Sequence, residues 1–435
     1  MSKQGKLKCQ CYEGDTIKPL VNSKITLTND KNVLVKEFYT DSSGESELVI
    51  LDTPDVLASQ KPGTIPYSVY NVLIEKEGFK SLQINGVQIY PNRIGIQSCN
   101  MKVATTRDGR TEVLDIKPNR LIGGFEEKIP EEPVKLLPKP SNTVVLPEVV
   151  VPQLIVVHDG SPSDDSAPNY TIAYIDYIKN VASSEIFATW PKATIMANVY
   201  CIVSFTLNRI YTEWYRGKGK DFDVTNNTAY DQAYVHGRTI YDSVSDVVDQ
   251  YFASYIRKFN EKQPFLAQYC NGTTSKHEGW LTQWGSKYLG DQGKTPYEIL
   301  THFYGYNIDI TKAPKVKGIP MSFPGYTLKL HYNGIYVKRV QIYLNSISNN
   351  YPLINKVAID GIYGDSTAKA VRTYQKIFNL PVTGAVNYGT WYSISNTYVA
   401  VNKLAEMSRG DEEETGYFVA PSMFDFEKNL PRVKY

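Results

Sequence analysis

The sequence predicts a multidomain chain: an all-β sandwich first, an α+β domain second and a small three-helix bundle last. Three observations lead there. The 435 residues exceed what one hydrophobic core organises, at about 100–200 residues per domain. The apolar rhythm changes from a period of two to helical spacing. Seven of the 24 prolines crowd into Pro118–Pro152, which marks a boundary.

Composition narrows the function classes. Apolar residues at 42% against 21% charged are the balance of a folded chain. A net charge of +2, from 47 basic and 45 acidic side chains, argues against a dedicated nucleic-acid binder. The longest apolar stretch, Ile195–Tyr211, is broken by Asn198, Ser204, Thr206 and Asn208, so no membrane span is expected. The first residues, MSKQGKLKCQCYEGD, lack the apolar core of a signal peptide. Five cysteines without a C-x-x-C pair suit neither a disulfide framework nor a zinc ribbon. The 33 tyrosines suit strand faces and also stacking on sugars.

Residues 1–105 form the first expected unit. Leu7, Cys9 and Cys11 alternate, as do Ile25 and Leu27, and Asp41-Ser-Ser-Gly44 is a turn between strand-like runs. Tyr70–Ile74 and Ile84–Ile89 repeat the pattern around Glu77-Gly78-Phe79. Residues 106–151 read as a solvated, proline-rich linker that ends in the apolar run VVLPEVVVPQLIVV. That change from exposed to apolar chain places a protease target within Ser141–Pro152, with Val149, Val150 and Val151 as the expected bonds.

Residues 152–320 form the second unit. Ile172, Ile175, Ile178, Ala182 and Ile186 share a helical face over 172–186. Pro191 opens a second helix reaching to about Tyr215. Residues 246–259 also read as helix, 265–270 as a short strand and 297–304 as a short helix. Residues 326–402 form the third unit, with helical spacing over 337–344 and 368–378 and seven basic against two acidic side chains. An acidic tail, 403–435, follows.

The chemistry-bearing residues begin with Glu185. It closes an apolar helix just before the aromatic corner Phe187-Ala188-Thr189-Trp190-Pro191. Partial burial there would favour a protonated carboxyl, the form a general acid needs. On periodicity alone, however, such a Glu is usually a solvated helix residue.

Resemblances add to this reading. Residues 19–27, the Thr40–Gly44 turn and the Val72–Phe79 run before Gly86-Val87 resemble the transthyretin-like (carboxypeptidase-regulatory) sandwich, which implies a fold and no activity. In the third unit, Val337-x-x-Val340-Gln341-x-x-Leu344, Asp360-Gly361-Ile362-Tyr363-Gly364, Thr367, Ala370-Val371-x-x-Tyr374-Gln375 and Thr390-Trp391 resemble the three-helix peptidoglycan-binding module. Gln341 and Gln375 would offer amides to glycan. The Ala182-Ser183-Ser184-Glu185 stretch, its Trp-Pro, the block Ala229–Gly237 and the block Phe265–Thr273 resemble SpoIID-type lytic transglycosylases.

Together these units resemble the SleC-type family of clostridial spore cortex-lytic proenzymes. That resemblance implies cleavage of the MurNAc–GlcNAc bond of spore cortex peptidoglycan with Glu185 as acid and then base. It implies Gln232, Tyr234 and Tyr269 as substrate-binding residues, and activation by a subtilisin-like germination protease. No cofactor is expected, and no metal: some relatives bind zinc at the third block through paired Cys and His, but this chain offers only Cys270 and His277 there, and two ligands do not close a zinc site. Asp231 is available as a second acid. Two other classes stay open: an amidase in which His158 begins a zinc site, and a non-catalytic wall-binding protein.

Overall fold

The computed structural model describes residues 3–14, 18–104, 111–132, 149–316 and 326–401. The expected tail at 403–435 and the part of the protease window at 141–148 lie outside them.

Two sheets, of four and five strands, form the N-terminal unit. Its strands are β1 (Gln4–Glu13), β2 (Lys18–Pro19), β3 (Lys24–Asn29), β4 (Leu34–Tyr39), β5 (Val49–Asp52), β6 (Ser68–Glu75), β7 (Leu82–Ile89), β8 (Ile94–Met101) and β9 (Glu112–Asp115). One sheet centres on β1, parallel to β8 and antiparallel to β5 and β2. The other runs β4-β3-β6-β7-β9. Leu7, Cys9, Val49 and Leu51 face Ile25, Leu27, Val72 and Ile84 across one core. The alternation of apolar residues dictates this, because successive side chains of a strand point to opposite faces. Cys11 is in register with Cys99, and all five cysteines are free and buried.

The expected linker at 106–151 is corrected at both ends. Residues 112–115 are strand β9, parallel to β7, and Leu114 and Ile116 pack into the sandwich core. The alternation Leu114-Asp115-Ile116 carried that signal beneath the prolines. At the far end β10 (Val150–Val151) pairs in parallel with β19 (Lys315–Val316), and Val149, Val150 and Val151 are buried.

The middle unit builds on two buried helices, α1 (Tyr174–Glu185) and α2 (Lys192–Tyr211). Around them lie β11 (Leu154–His158), β12 (Asn169–Ala173) and β13 (Val224–Thr225) in one small sheet. β14 (Ile240–Tyr241) and α3 (Asp242–Tyr251) follow. β15 (Ser254–Lys258) pairs with β18 (Ile308–Lys312), and β16 (Tyr269–Cys270) pairs with β17 (Leu281–Thr282). α4 (Gln283–Asp291) and α5 (Pro296–Tyr304) complete the unit. The helix expected at 246–259 is thus half strand. Ser254–Lys258 leaves the helix to pair with Ile308–Lys312, a non-local partner that periodicity cannot see. The helix expected from 172 starts at Tyr174, because Ile172 belongs to β12.

β14 leaves its own unit and extends the sandwich sheet against β8. Around it Gln97 Nε2 donates to the Gly237 carbonyl (2.9 Å), Thr239 Oγ1 donates to Gln97 (2.6 Å) and Trp190 Nε1 donates to the Ser59 carbonyl (3.1 Å). Sandwich and middle unit are therefore docked through backbone and buried polar contacts. The third unit contains α6 (Ile335–Ile347), α7 (Asp365–Ile377) and α8 (Tyr388–Val401) around a separate core of Val337, Leu344, Val371, Tyr374 and Trp391. Tyr336 OH donates to Asp249 on α3 (2.9 Å). Among the described residues no helix is long and apolar enough to cross a membrane.

Candidate functional site

The site begins with why α1 stops at Glu185. Ile186 turns extended, at φ −129° and ψ 164°, and ends the helix. Phe187, Trp190 and Trp284 pack edge to face, with centroids 5.1–5.8 Å apart, and hold the chain in a corner. Glu185 is thereby fixed at the carboxyl end of a helix and is wholly buried. A carboxylate there opposes the helix dipole and has lost its water, so it needs donors.

Four donors surround it. Oε1 accepts from the Ala233 N–H (2.9 Å) and the Tyr269 hydroxyl (3.2 Å). Oε2 accepts from Gln283 Nε2 (3.0 Å) and the Arg120 guanidinium (2.7 Å). Gln232 supports this group: its Nε2 donates to the Tyr269 oxygen (3.1 Å), and its Oε1 accepts from Tyr177 (3.1 Å) and Thr206 (2.9 Å). The three blocks singled out in the sequence therefore converge: Glu185 from α1, Gln232 and Ala233 from the second block, Tyr269 from the third. Sequence reasoning missed Gln283 and Arg120. Nothing local marks either one, since they lie 98 and 65 residues away along the chain.

Arg120 comes from outside the middle unit. Burial disfavours its cation, but Glu185 and Tyr269 more than compensate and leave its pKa above the ordinary value. The segment around it, residues 117–131, crosses all three blocks. Asn119 Nδ2 donates to the carbonyls of Ser183 (3.3 Å) and Ile186 (3.1 Å), and the Arg120 N–H donates to Ser184 (2.8 Å). Lys128 Nζ donates to the Asp231 carbonyl. The Ile129 N–H donates to Ala229 (2.7 Å). At residue 131 the Gln268 amide pairs with both backbone groups: the N–H donates to Oε1 (2.9 Å) and Nε2 donates to the carbonyl (2.6 Å). Burial pushes Lys128 down to about 7, with the nearby Arg120 charge adding to the effect.

Asp231 does not face Glu185 as a second acid. Its carboxylate accepts from Arg209 Nε (2.7 Å), Tyr215 OH (2.7 Å) and the Thr225 N–H and hydroxyl (2.8 Å each). The remaining guanidinium edge of Arg209 holds the Glu131 carboxylate in a fork at 2.5 and 3.0 Å. Tyr234 also sits apart from the carboxyl. It stacks on Tyr177 at 5.9 Å, and its hydroxyl meets His236 at 3.2 Å.

His158, the candidate amidase ligand, stacks on Phe222 at 4.4 Å. Both its nitrogens are engaged, Nδ1 with Asn169 Oδ1 (2.8 Å) and Nε2 with the Ser161 carbonyl (3.1 Å). Burial raises the Cys270 thiol, which disfavours the thiolate a metal needs. Among the described residues, no group of three or more His, Cys, Asp or Glu side chains is placed to hold a metal ion.

In the third unit, Gln341 and Gln375 are buried and bound internally. Gln341 accepts from the Gly361 N–H (2.8 Å) and donates to Asp360 (2.8 Å) and the Ile362 carbonyl (2.9 Å). Gln375 accepts from the Gly384 N–H (2.8 Å) and donates to the Ala385 carbonyl (2.9 Å). The expectation that they face glycan is corrected: they staple two loops whose glycines have φ of 77° and 73°.

The expected cleavage site also changes. Val149 and Val150 are buried, and Val150 is paired with Lys315, whereas a protease needs a free, extended bond.

Comparison with known proteins bears on one part of the chain. Residues 333–394 match the family described as "Putative peptidoglycan binding domain". This supports association with peptidoglycan and a cell-wall-related location. No curated protein matches the chain to a significant degree. Among solved structures, the chain is similar to the minor pilin GBS52 of Streptococcus agalactiae, at 17% identity over 26% of this chain and 50% of that one, with a TM-score of 0.18. It is also similar to catechol 1,2-dioxygenase of Acinetobacter sp. ADP1, at 13% identity over 26% and 59%, with a TM-score of 0.17. The chain thus spans about half the length of these structures.

Proposed function

We propose that this chain is a zymogen of a peptidoglycan-cleaving enzyme, a SpoIID-type lytic transglycosylase with the layout of the SleC-type spore cortex-lytic proenzymes. One observation carries the reading. The carboxyl singled out in the sequence is desolvated and ringed by donors, and a segment from outside its own unit covers it through Arg120. The peptidoglycan-binding domain at 333–394 supplies the matching substrate.

The chemistry follows from the residues. In the covered state the Arg120 guanidinium occupies Oε2, so that oxygen cannot reach a substrate. Departure of residues 117–131 removes that cation and opens the space in front of Oε2. Glu185 in its acid form donates to the glycosidic oxygen between N-acetylmuramic acid and N-acetylglucosamine, and the C1–O bond breaks. The muramic O6 hydroxyl adds to C1 and returns its proton to Glu185, leaving a 1,6-anhydro end. Ala233 N–H, Tyr269 and Gln283 hold the carboxylate throughout. A hydrolytic glycosidase needs a second carboxylate for water or for a covalent intermediate. Asp231, committed to Arg209, does not fill that role, which favours the single-carboxylate route.

Activation requires a cut between the covering segment and β10. Val149 and Val150 are buried, so the part of the Ser141–Pro152 window ahead of them, residues 141–148, is the proposed site for a subtilisin-like germination protease. The spore cortex is the proposed location. The test is mass analysis of fragments released from cortex peptidoglycan by the chain cut within 141–148. Anhydro-muramic ends support the transglycosylase, reducing ends indicate a hydrolase, and freed stem peptides an amidase. Wall binding with no fragments leaves a binding protein only.

A further inference from the structure

The covering segment is bound as a ligand would be, and its last described contacts are the most specific. The Gln268 side-chain amide pairs with the N–H and the carbonyl of residue 131, the two groups that any peptide unit presents. Beside it, the Arg209 fork grips the side-chain carboxylate of the same residue. Both receiving side chains are at least 97% buried; the Arg209 side chain and the Gln268 backbone are held independently of the segment. Arg209 is fixed by Asp231 and by the Tyr230 carbonyl (2.9 Å). Asp231 is in turn fixed by Tyr215 and Thr225. The Gln268 carbonyl accepts from Tyr304 OH (2.8 Å). The seat adjoins the Glu185 site, because Gln268 precedes Tyr269 and Asp231 stands two residues before Ala233.

A buried guanidinium whose fork is presented by a rigid carboxylate is built for a planar anion. When the segment leaves, the fork loses its partner and faces the opened space. An unpaired buried cation is costly, so the seat must gain another anion or water. We propose that Arg209 and Gln268 form a substrate subsite for a carboxylate borne by the muramic acid substituent, and that Glu131 occupies it in the covered state. The inference rests on the zymogen reading for the departure of the segment. The pairing at Gln268 favours a peptide-borne carboxylate on the stem, and the lactyl carboxylate of an unsubstituted muramic acid presents the same chemistry.

The experiment measures binding and needs no turnover. The full chain is given a specific protease sequence within 141–148, carries Glu131→Ala so that the Arg209 fork is vacant whether or not the segment departs, and is cut. Four probes are titrated by calorimetry: N-acetylmuramoyl-L-alanyl-D-glutamate, its bis-amide, N-acetylmuramic acid and N-acetylglucosamine. The dipeptide acid is expected to bind at least tenfold tighter than the bis-amide. Equal binding by N-acetylmuramic acid identifies the lactyl group as the source, and weaker binding identifies the stem. Arg209→Lys, which keeps charge but loses the fork, is expected to erase the preference for acid over amide. If that variant does not fold, the acid–amide comparison on the intact Arg209 still decides. Equal affinity for acid and bis-amide, or binding of neither, overturns the subsite. Loss of glycan cleavage in the same cut chain without Glu131→Ala overturns the enzymatic reading instead.

Discussion

Substituting Arg120 by Ala in the uncut chain should switch on cleavage without proteolysis. The covered state places the guanidinium 2.7 Å from Glu185 Oε2 with both groups buried. Removing one partner of a buried pair costs about 3–5 kcal/mol, because the other charge stays desolvated. Glu185 keeps three donors, the Ala233 N–H, Tyr269 and Gln283, so the lower figure applies. The uncovered state pays no such cost, since water reaches the carboxylate there. A shift of about 3 kcal/mol raises the uncovered population roughly a hundredfold, at about 1.4 kcal/mol per decade. The assay is release of anhydro-muramic ends from purified peptidoglycan, with mass spectrometry confirming that the chain is intact. Activity of the uncut variant should rise by roughly that hundredfold over the uncut parent. After cutting, variant and parent should be equally active, because Arg120 leaves with the covering segment. An uncut Arg120→Ala chain as silent as the parent, while both cut forms are active, would refute the gating by this ion pair.

Other consequences can be measured in parallel. Glu185→Gln in the cut chain should lower glycan cleavage by at least about a hundredfold, as loss of a general acid does, while sedimentation with insoluble peptidoglycan through the third unit stays unchanged. Lys128, lowered to about 7 in the covered state, titrates near 10.4 when released. Release therefore takes up a proton between about pH 7 and 10, so docking strengthens as pH rises through that window and is flat below it. Thermal melts of the uncut chain should show this slope, and Lys128→Met should remove it. Gln341→Ala should destabilise the third unit by about 1–3 kcal/mol, because the Gly361 N–H and its loop lose a buried partner; chemical denaturation followed by Trp391 fluorescence reads it. Limited proteolysis of the native chain should cut within the proposed 141–148 window and spare the bond after Val150; early cleavage at Val150 would contradict its burial in β10.

Local pattern carried a good deal of this molecule. The alternation of Leu7, Cys9 and Cys11 and of Ile25 and Leu27 reads directly as strand faces, because the period of a strand is a property of its backbone. The Asp360-Gly361 turn and the helices flanking it were equally legible, since Gly361 is needed where φ is positive. Glu185 was legible as a residue ending an apolar helix at an aromatic–proline corner. Sequence alone did not place residues 112–116 correctly, although Leu114 and Ile116 alternate, because proline density outweighed a five-residue signal. It also assigned Ser254–Lys258 to a helix, since the pairing with Ile308–Lys312 is not local.

What only the tertiary structure decided is the state of the carboxyl. A sequence can say that an acid lies at the end of a buried helix. It cannot say which groups 65 or 98 residues away meet its Oε2, and those partners set whether the acid is covered or free to react. The same holds for Asp231, Gln341 and Gln375, whose residue types suited catalysis or glycan contact but whose partners are internal. Local periodicity follows from backbone geometry and is written in neighbouring residues. The electrostatics of a buried group follow from whatever the fold brings within about 4 Å, the range at which charge pairing and hydrogen bonding set protonation.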